Sequence, residues 1–248
     1  MWSDLLKRSS AIKKPCTWEQ GSLDTKERVV IKISGKVFGD NVTDELKKYA
    51  RMFIETSDQV QPVVVAGGGK IARHYINTAR SFGLDEASLD IMGIEVSRLN
   101  AKLLIAAIGD NAYPTVPIDL EQVSKATAGG KIIVTGGLHP GQSTNATAAL
   151  IAEKVKASRF LNATDVDGIY DSDPNKNKGA KLFKDITVKK CLELLGSENS
   201  AAGSYDLMDI VALKVIERSK IRTVVLRSDP STIKSAIADK PIGTRIVF

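Results

Sequence analysis

The stretch KIIVTGGLHPGQSTNAT (131–147) decides the fold, because it joins three kinds of local structure in one short run. A β-branched apolar run at 132–134 predicts a buried strand, which the turn-forming segment 136–141 ends. One of the polar side chains at 143–145 is placed to cap an alanine-rich helix over 146–157. Such a junction directs backbone N–H groups and the positive end of a helix dipole at one point, where an anion can bind. Many strand-to-helix turns, however, need glycine only for their geometry.

A second strand-to-glycine turn lies near the start of the folded part. The predicted strand 29–33 runs into Gly35, which has Lys32 and Lys36 on either side. A lysine at such a turn can reach phosphate oxygens as a mobile point charge, or can lie at a strand end in solvent. The two flanking lysines favour a phosphate-binding role.

A third turn follows the predicted strand 63–65. Three consecutive glycines, 67–69, precede a predicted helix over 70–82 that Gly83 ends. Glycines in a row let a ligand approach the backbone closely, and they cost conformational entropy that a purely structural turn does not require. Arg73, one turn into the helix, can clamp a phosphate in a forked contact or form a surface salt bridge.

Four aspartates occur within the segment 164–174, which follows a predicted strand over 158–163. A calcium loop is one interpretation, but the segment lacks the terminal bidentate glutamate of an EF-hand. A nucleotide-facing loop is the better interpretation, with Tyr170 covering a base and an aspartate holding a ribose or orienting lysines.

A long helix is predicted over 89–108, with Asp90 at its start and Gly93 as a possible interruption. Asn100, if it is buried, needs hydrogen-bond partners. Three apolar side chains have the spacing of a core-facing stripe: Ile91, Leu99 and Leu103. The remaining predicted elements are helices over 44–56, 187–195 and 209–219, strands over 113–118, 223–226 and 245–248, and a loop over 196–204.

Composition sets the broad class. The 248 residues, 43% of them hydrophobic, suit one large α/β domain or two small ones, and no apolar run reaches the length of a membrane span. A net charge of +6 suits an anionic substrate or nucleic acid, and equally a solvated basic surface. The two cysteines, Cys16 and Cys191, are expected to be free thiols in a reducing, cytoplasmic compartment, and they are too few for a cysteine zinc site. We expect residues 1–26 to be a flexible extension and residues 27–248 to be the domain.

The alternation of strands and helices predicts a mostly parallel sheet covered by helices on both faces. In such sheets ligands bind beyond the carboxyl ends of the strands, where the turns at 34, 67, 136 and 164 would meet. Several anion-binding loops with lysines and aspartates fit phosphoryl transfer. The chain has no GxxxxGK[ST] loop and no GxGxxG after its first strand, which weakens the P-loop and Rossmann interpretations.

The chain resembles the amino acid kinase family, and within it the archaeal-type uridylate (UMP) kinases. The resemblance covers about residues 28–248. The segments that carry it are KISGK (32–36), VAGGGKIARHYI (65–76), LDIMGIEVSRLNA (89–101), TGGLHPGQSTNATAALIAE (135–153), TDVDGIYDSDP (164–174) and MDIVALKVIERSKI (208–221).

The resemblance implies a three-layer αβα sandwich with a mostly parallel central sheet. It also implies a homo-oligomer, usually a hexamer, that transfers the γ-phosphoryl group of ATP to UMP. Magnesium is expected with ATP, without a metal site built from the protein alone, and no nucleic acid or membrane is expected as a partner. The residues assigned to ATP are Lys32, Ile33, Ser34, Gly35, Lys36, Gly69, Arg73, Thr164, Tyr170 and Asp173. The residues assigned to UMP are Gly68, Asp90 on the ribose, and Leu138, His139, Pro140, Gly141, Gln142, Ser143 and Thr144 around the phosphate. Lys32, Lys36 and Asp167 are assigned to catalysis, with Asp167 orienting the lysines.

One position departs from the family pattern. Family members commonly read TNVDG where this chain has TDVDG, so Asp165 replaces an amide and adds a negative charge beside the phosphates. Two alternatives remain beside a UMP kinase. One is a sister kinase that acts on another small phosphate or acid, such as isopentenyl phosphate. The other is a non-catalytic storage or regulatory protein that binds a nucleotide or an oxyanion.

Overall fold

In the described part of the chain, seven strands form one sheet whose faces are both covered by helices. The computed structural model describes residues 26–196 and 208–248. The strands are β1 Arg28–Ile33, β2 Gln61–Ala66, β3 Ile133–Thr135, β4 Arg159–Thr164, β5 Asp185–Thr187, β6 Arg222–Arg227 and β7 Thr244–Val247. The helices are α1 Val42–Thr56, α2 Gly69–Ser81, α3 Glu86–Ile108, α4 Leu120–Ala126, α5 Thr144–Lys154, α6 Val188–Gly196, α7 Ile210–Ser219 and α8 Pro230–Ile237.

The sheet has the strand order β3-β2-β1-β4-β6-β7-β5, and among these described strands only the β6–β7 pair is antiparallel. Strands β2 and β4 are buried along their whole length, as expected for strands with helices on both faces. One apolar layer, under α5 and α7, packs on one face, and α1, α3 and α8 pack on the other. The three-layer αβα sandwich with a mostly parallel central sheet is therefore confirmed.

Helix α3 differs from its prediction in three ways. It begins at Glu86 with Asp85 as N-cap, so Asp90 lies in its second turn rather than at its start, and Gly93 does not interrupt it. The prediction that Ile91, Leu99 and Leu103 face the core is wrong, because each of these side chains is about half exposed. The core-facing side chains are instead Leu89, Ile94, Ala101, Leu104 and Ile108. This helix has two apolar stripes, and hydrophobic spacing cannot tell which of them faces the sheet.

Other boundaries differ more modestly. The prediction of a strand over 113–118 is wrong. Pro114 and Pro117 have no N–H to donate to a neighbouring strand, and the pairing here is limited to an isolated bridge between Ala112 and Ile132. The short elements α4, α8 and β5 were not predicted from periodicity, which needs longer segments. Residues 1–25, with Cys16, and most of the loop predicted over 196–204 lie outside the described residues. No helix in the described part of the chain is long and apolar enough to cross a membrane.

Candidate active site

The carboxyl ends of β1, β2, β3 and β4 open into one cavity of about 600 Å³. Parallel pairing places all four ends at the same edge of the sheet, so the loops that follow them meet there. Helices α2 and α5 also begin at this edge, with Gly69 and Thr144 lining the cavity. The first N–H groups of each helix lack an intrahelical partner, which makes the cavity suited to anionic ligands from two sides.

The cavity brings together residues that the sequence analysis assigned to both nucleotides. Those that line it are Lys32, Ser34, Gly35, Lys36, Gly68, Gly69, Arg73, Asp90, Gln142, Thr144 and Thr164. Others lie on the adjoining loops rather than in the cavity wall: Leu138, His139, Pro140, Gly141, Ser143, Asp167, Tyr170 and Asp173. The side chain of Ile33 packs in the apolar core, so this residue can offer a nucleotide only its backbone.

The loops after β1 and β2 touch each other backbone to backbone. A Cβ added at Gly35 would lie 2.1 Å from the backbone N of Gly69. A Cβ added at Gly69, which has a φ of +68°, would lie 2.2 Å from the carbonyl oxygen of Gly35. Neither contact leaves room for a side chain, so the two glycines set the spacing between the lysine-bearing turn and the start of α2.

Helix α3 binds the loops after β2 and β3 through polar side chains. The Nδ2 of Asn100, a residue 3% exposed, donates to the carbonyl oxygens of Gly67 at 2.8 Å and Gly68 at 3.3 Å. These are the partners that a buried amide at this position requires. Asp90 accepts a hydrogen bond from the backbone N of Gly141 at 2.7 Å, so its carboxylate already lies beside the loop after β3.

The carboxylate beside Lys36 is that of Asp165, with which it forms a hydrogen-bonded ion pair. This bond lowers the pKa of Asp165, although partial burial opposes the shift. The assignment of the lysine-orienting role to Asp167 is therefore not supported by its contacts. The Nε of Arg227 donates to Oδ1 of Asp167 at 2.5 Å, and this bond lowers the pKa of Asp167.

The side chain that caps the start of α5 also contacts the residue that caps α7. Ser143 is the N-cap of α5, where its hydroxyl accepts from the N–H groups of Asn145 and Ala146, and it also contacts the carboxylate of Asp209. Asp209 is in turn the N-cap of α7.

The Oε1 atom of Gln142 is buried without a hydrogen-bond partner among the described residues, which leaves an acceptor at the cavity wall for a ligand donor.

Sequence reasoning missed three of these residues as parts of the site: Asp165 as a partner of Lys36, Asp209 and Arg227. It also missed Arg98 of α3, whose Nε donates to the carbonyl oxygen of Gly137 at 3.1 Å. One signal was available, since Arg227 ends a strand parallel to β4 and so lies at the same edge of the sheet. Among residues 26–196 and 208–248, no group of three or more His, Cys, Asp and Glu side chains is arranged to hold a metal ion.

The chain matches known proteins over most of its length. The profile of the amino acid kinase family matches residues 27–227. The chain is 38% identical over 222 residues to the uridylate kinase of Methanobrevibacter smithii, covering 89% of this chain and 99% of the relative. It is 41% identical over 222 residues to that of Methanothermobacter thermautotrophicus, with the same coverage. The crystal structure of uridylate kinase from Archaeoglobus fulgidus superposes with a TM-score of 0.81 at 37% identity, covering 88% of this chain and 99% of that one. The chain therefore belongs to the amino acid kinase family.

Proposed function

We propose that this protein is a uridylate kinase, which transfers the γ-phosphoryl group of ATP to UMP to give ADP and UDP. The observation that carries the proposal is one cavity whose wall contains two helix N-termini and a turn that bears two lysines, Lys32 and Lys36. An acceptor that is itself a phosphate needs a second anion site facing the first, and the loops after β2 and β3 provide one each. The relatives that match almost the whole chain are uridylate kinases.

Each group of residues has a role in this reaction. Lys32 and Lys36 neutralise charge on the transferring phosphoryl group, and Gly69 with Arg73 binds the ATP phosphates. The loop 138–144 holds the UMP phosphate. Asp165 stands where family members commonly have asparagine. Its ion pair positions Lys36, which gives this aspartate a role in binding ATP, the phosphoryl donor.

Magnesium fits this site as a companion of ATP. Mg²⁺ binds through one or two carboxylates together with substrate phosphates and waters, and Asp165 supplies a carboxylate in the cavity wall. The metal would add charge neutralisation at the β- and γ-phosphates. Such a kinase belongs to pyrimidine nucleotide synthesis in the cytoplasm, and we propose that compartment for this chain.

The function is tested by ADP release with a panel of UMP, CMP, dTMP and isopentenyl phosphate. We expect UMP to be preferred. A preference for isopentenyl phosphate would instead identify a sister kinase of the same family, and no turnover with any acceptor would favour a binding protein.

We expect Asp90→Ala to raise the KM for UMP about 10- to 100-fold, because a hydrogen bond to a carboxylate contributes ~1.5–3 kcal/mol. The KM for ATP should change little, and discrimination against 2′-deoxyuridine monophosphate should fall, since the 2′-hydroxyl loses its acceptor. Asp90→Asn should keep part of the effect. Steady-state kinetics with both nucleotides measures these changes.

Asp85→Ala is the matched control, because Asp85 rather than Asp90 caps α3. It should cost about 1 kcal/mol of stability and leave the KM for UMP unchanged. An unchanged KM and unchanged deoxy discrimination in Asp90→Ala would move the ribose site elsewhere.

We also propose that the protein is a homo-oligomer, with a hexamer expected. Helices α2 and α3 pack together and expose the large apolar side chains Ile71, Tyr75, Ile91, Leu99 and Leu103. A monomer rarely leaves such a set in water. We call these five residues the α2–α3 apolar face.

We expect Leu99→Glu with Leu103→Glu to reduce the mass of the assembly, because two carboxylates in an apolar interface would be buried without partners. Light scattering behind a sizing column measures the mass. Leu182→Glu, at an exposed apolar position that belongs to neither helix and bridges Tyr170, should leave the mass unchanged. An unaltered mass in the double variant would place the interface elsewhere.

A further inference from the structure

One turn of α3 directs polar side chains at the backbone of both glycine loops. Asn100 donates to the carbonyls of Gly67 and Gly68. Arg98 donates from Nε to the carbonyl of Gly137 at 3.1 Å and from Nη2 to that of Leu138 at 3.3 Å. Two side chains of one helix thus bind four backbone carbonyl groups, two neighbouring ones in each loop.

The peptide geometry gives these contacts a consequence for ligand binding. In a trans peptide the C=O and the following N–H point in opposite directions. When Asn100 holds the carbonyls of Gly67 and Gly68, the N–H groups of Gly68 and Gly69 point away from it. When Arg98 holds the carbonyls of Gly137 and Leu138, the next two N–H groups are oriented in the same way. Carbonyl oxygens, which would repel phosphate, are turned from the ligand, and N–H groups, which attract it, are freed for it.

A purely structural role explains the side-chain choice less well. Asn100 is 3% exposed and sits beside the core residues Ala101 and Leu104, where an apolar side chain would avoid the cost of burying an amide. Arg98 keeps only 18% of its side chain exposed, and its guanidinium is used on backbone carbonyls as well as on Glu95. Each residue thus gives up hydration to fix the backbone of a loop.

We propose that Asn100 and Arg98 are positioning residues for phosphoryl transfer. Asn100 sets the amides of the loop 67–69, which faces the transferring group, and Arg98 sets the loop 136–141 around the acceptor phosphate. This inference rests on the proposed function. It extends that function to residues that do not themselves bind substrate.

The kinetic test compares Asn100→Leu and Arg98→Met with wild type. Arg98→Met should raise the KM for UMP about tenfold and change the KM for ATP less than about twofold, because only the acceptor loop loses its support. Arg98→Lys, which keeps the charge and one donor, should recover part of the loss. Asn100→Leu, which keeps the branched shape of the side chain but removes its donors, should lower kcat at least about tenfold. Equal changes in both KM values for Arg98→Met, or a kcat for Asn100→Leu within twofold of wild type, would overturn the proposal.

Two further measurements separate positioning from general damage and from a wrong function. Leu104→Ala loosens the same helix from the core, and it should lower the melting temperature without the split between the KM values. Amide hydrogen exchange needs no substrate: peptides covering 65–70 should exchange faster in Asn100→Leu, and those covering 136–142 in Arg98→Met. Unchanged exchange at both loops would refute the positioning roles. A wild-type chain that does not turn over UMP would refute the proposed function alone, because the exchange pattern would still show whether the two residues hold the loops.

Discussion

Replacing Lys32 by methionine is expected to lower kcat for UMP phosphorylation by about a hundredfold or more, equivalent to about 2.7 kcal/mol of transition-state stabilisation. Lys32 is the next-to-last residue of β1, and it pairs in register with Val65 and Asn162 on the neighbouring strands. Its backbone is therefore fixed in the middle of the sheet, while its side chain lines the cavity. Methionine keeps an unbranched apolar chain of nearly the same length and removes the ammonium group, so the loss should fall on the step in which charge spreads over the phosphoryl group.

Kinetics at saturating ATP and UMP measure this effect, and the KM values should change much less than kcat. Lys47→Met, on the exposed side of α1, is the matched control and should leave kcat unchanged. Lys36→Met is informative beside it, because the charge of Lys36 is already shared with Asp165. If Lys32→Met altered only the KM for ATP, Lys32 would be a binding residue and its catalytic role would be wrong.

The meeting of the glycine loops could be predicted from sequence, because parallel topology leaves little choice. Once β1, β2, β3 and β4 are recognised as strands joined by helices, right-handed crossovers place their carboxyl ends at one edge. The loops at 34–36, 67–69 and 136–144 must then share that edge. The cavity wall formed by Lys32, Gly69 and Thr144 is the physical result.

The partners of the charged side chains could not be predicted in this way. Asp167 pairs with Arg227, which is 60 residues away, and Lys36 with Asp165, which is 129 residues away. Such pairs depend on which strand lies next to which, and on distances of a few ångströms that a motif does not encode. The residues TDVDG offer two carboxylates, and only the structure shows that the first of them reaches the lysine.

Helix α3 shows a second limit. Its apolar residues form two stripes, and the structure buries the one that places Asn100 and Arg98 against the loops. Hydrophobic spacing favoured the other stripe, which carries Leu99 and Leu103. The polar contacts to the loop carbonyls, together with the core residues of the same face, fix the rotation of the helix. Periodicity alone contains no information on those contacts.

Replacing Gly35 by alanine is expected to reduce kcat/KM for both nucleotides by at least about a hundredfold, since a displacement of catalytic groups by about 1 Å can cost that much. The new Cβ would lie 2.1 Å from the N and 2.4 Å from the Cα of Gly69, both of them backbone atoms that no rotamer change can move. The turn after β1 and the start of α2 must therefore separate. That movement carries Lys36 away from the N–H groups at the start of α2, although both should bind the same ATP phosphates.

The stability of Gly35→Ala should fall by about 1–3 kcal/mol, as for other overpacked sites, so the variant should remain folded for kinetic measurement. Gly129→Ala is the matched control, because a Cβ at Gly129 meets nothing within 4 Å, and it should change neither the melting temperature nor kcat/KM appreciably. Gly69→Ala should be worse than Gly35→Ala, since its φ of +68° adds backbone strain to a contact of 2.2 Å with the carbonyl oxygen of Gly35. Thermal unfolding and kcat/KM on the three variants measure this order. A Gly35→Ala protein with wild-type kcat/KM would show that the loops after β1 and β2 can separate without loss, and that their close contact does not set the geometry for phosphoryl transfer.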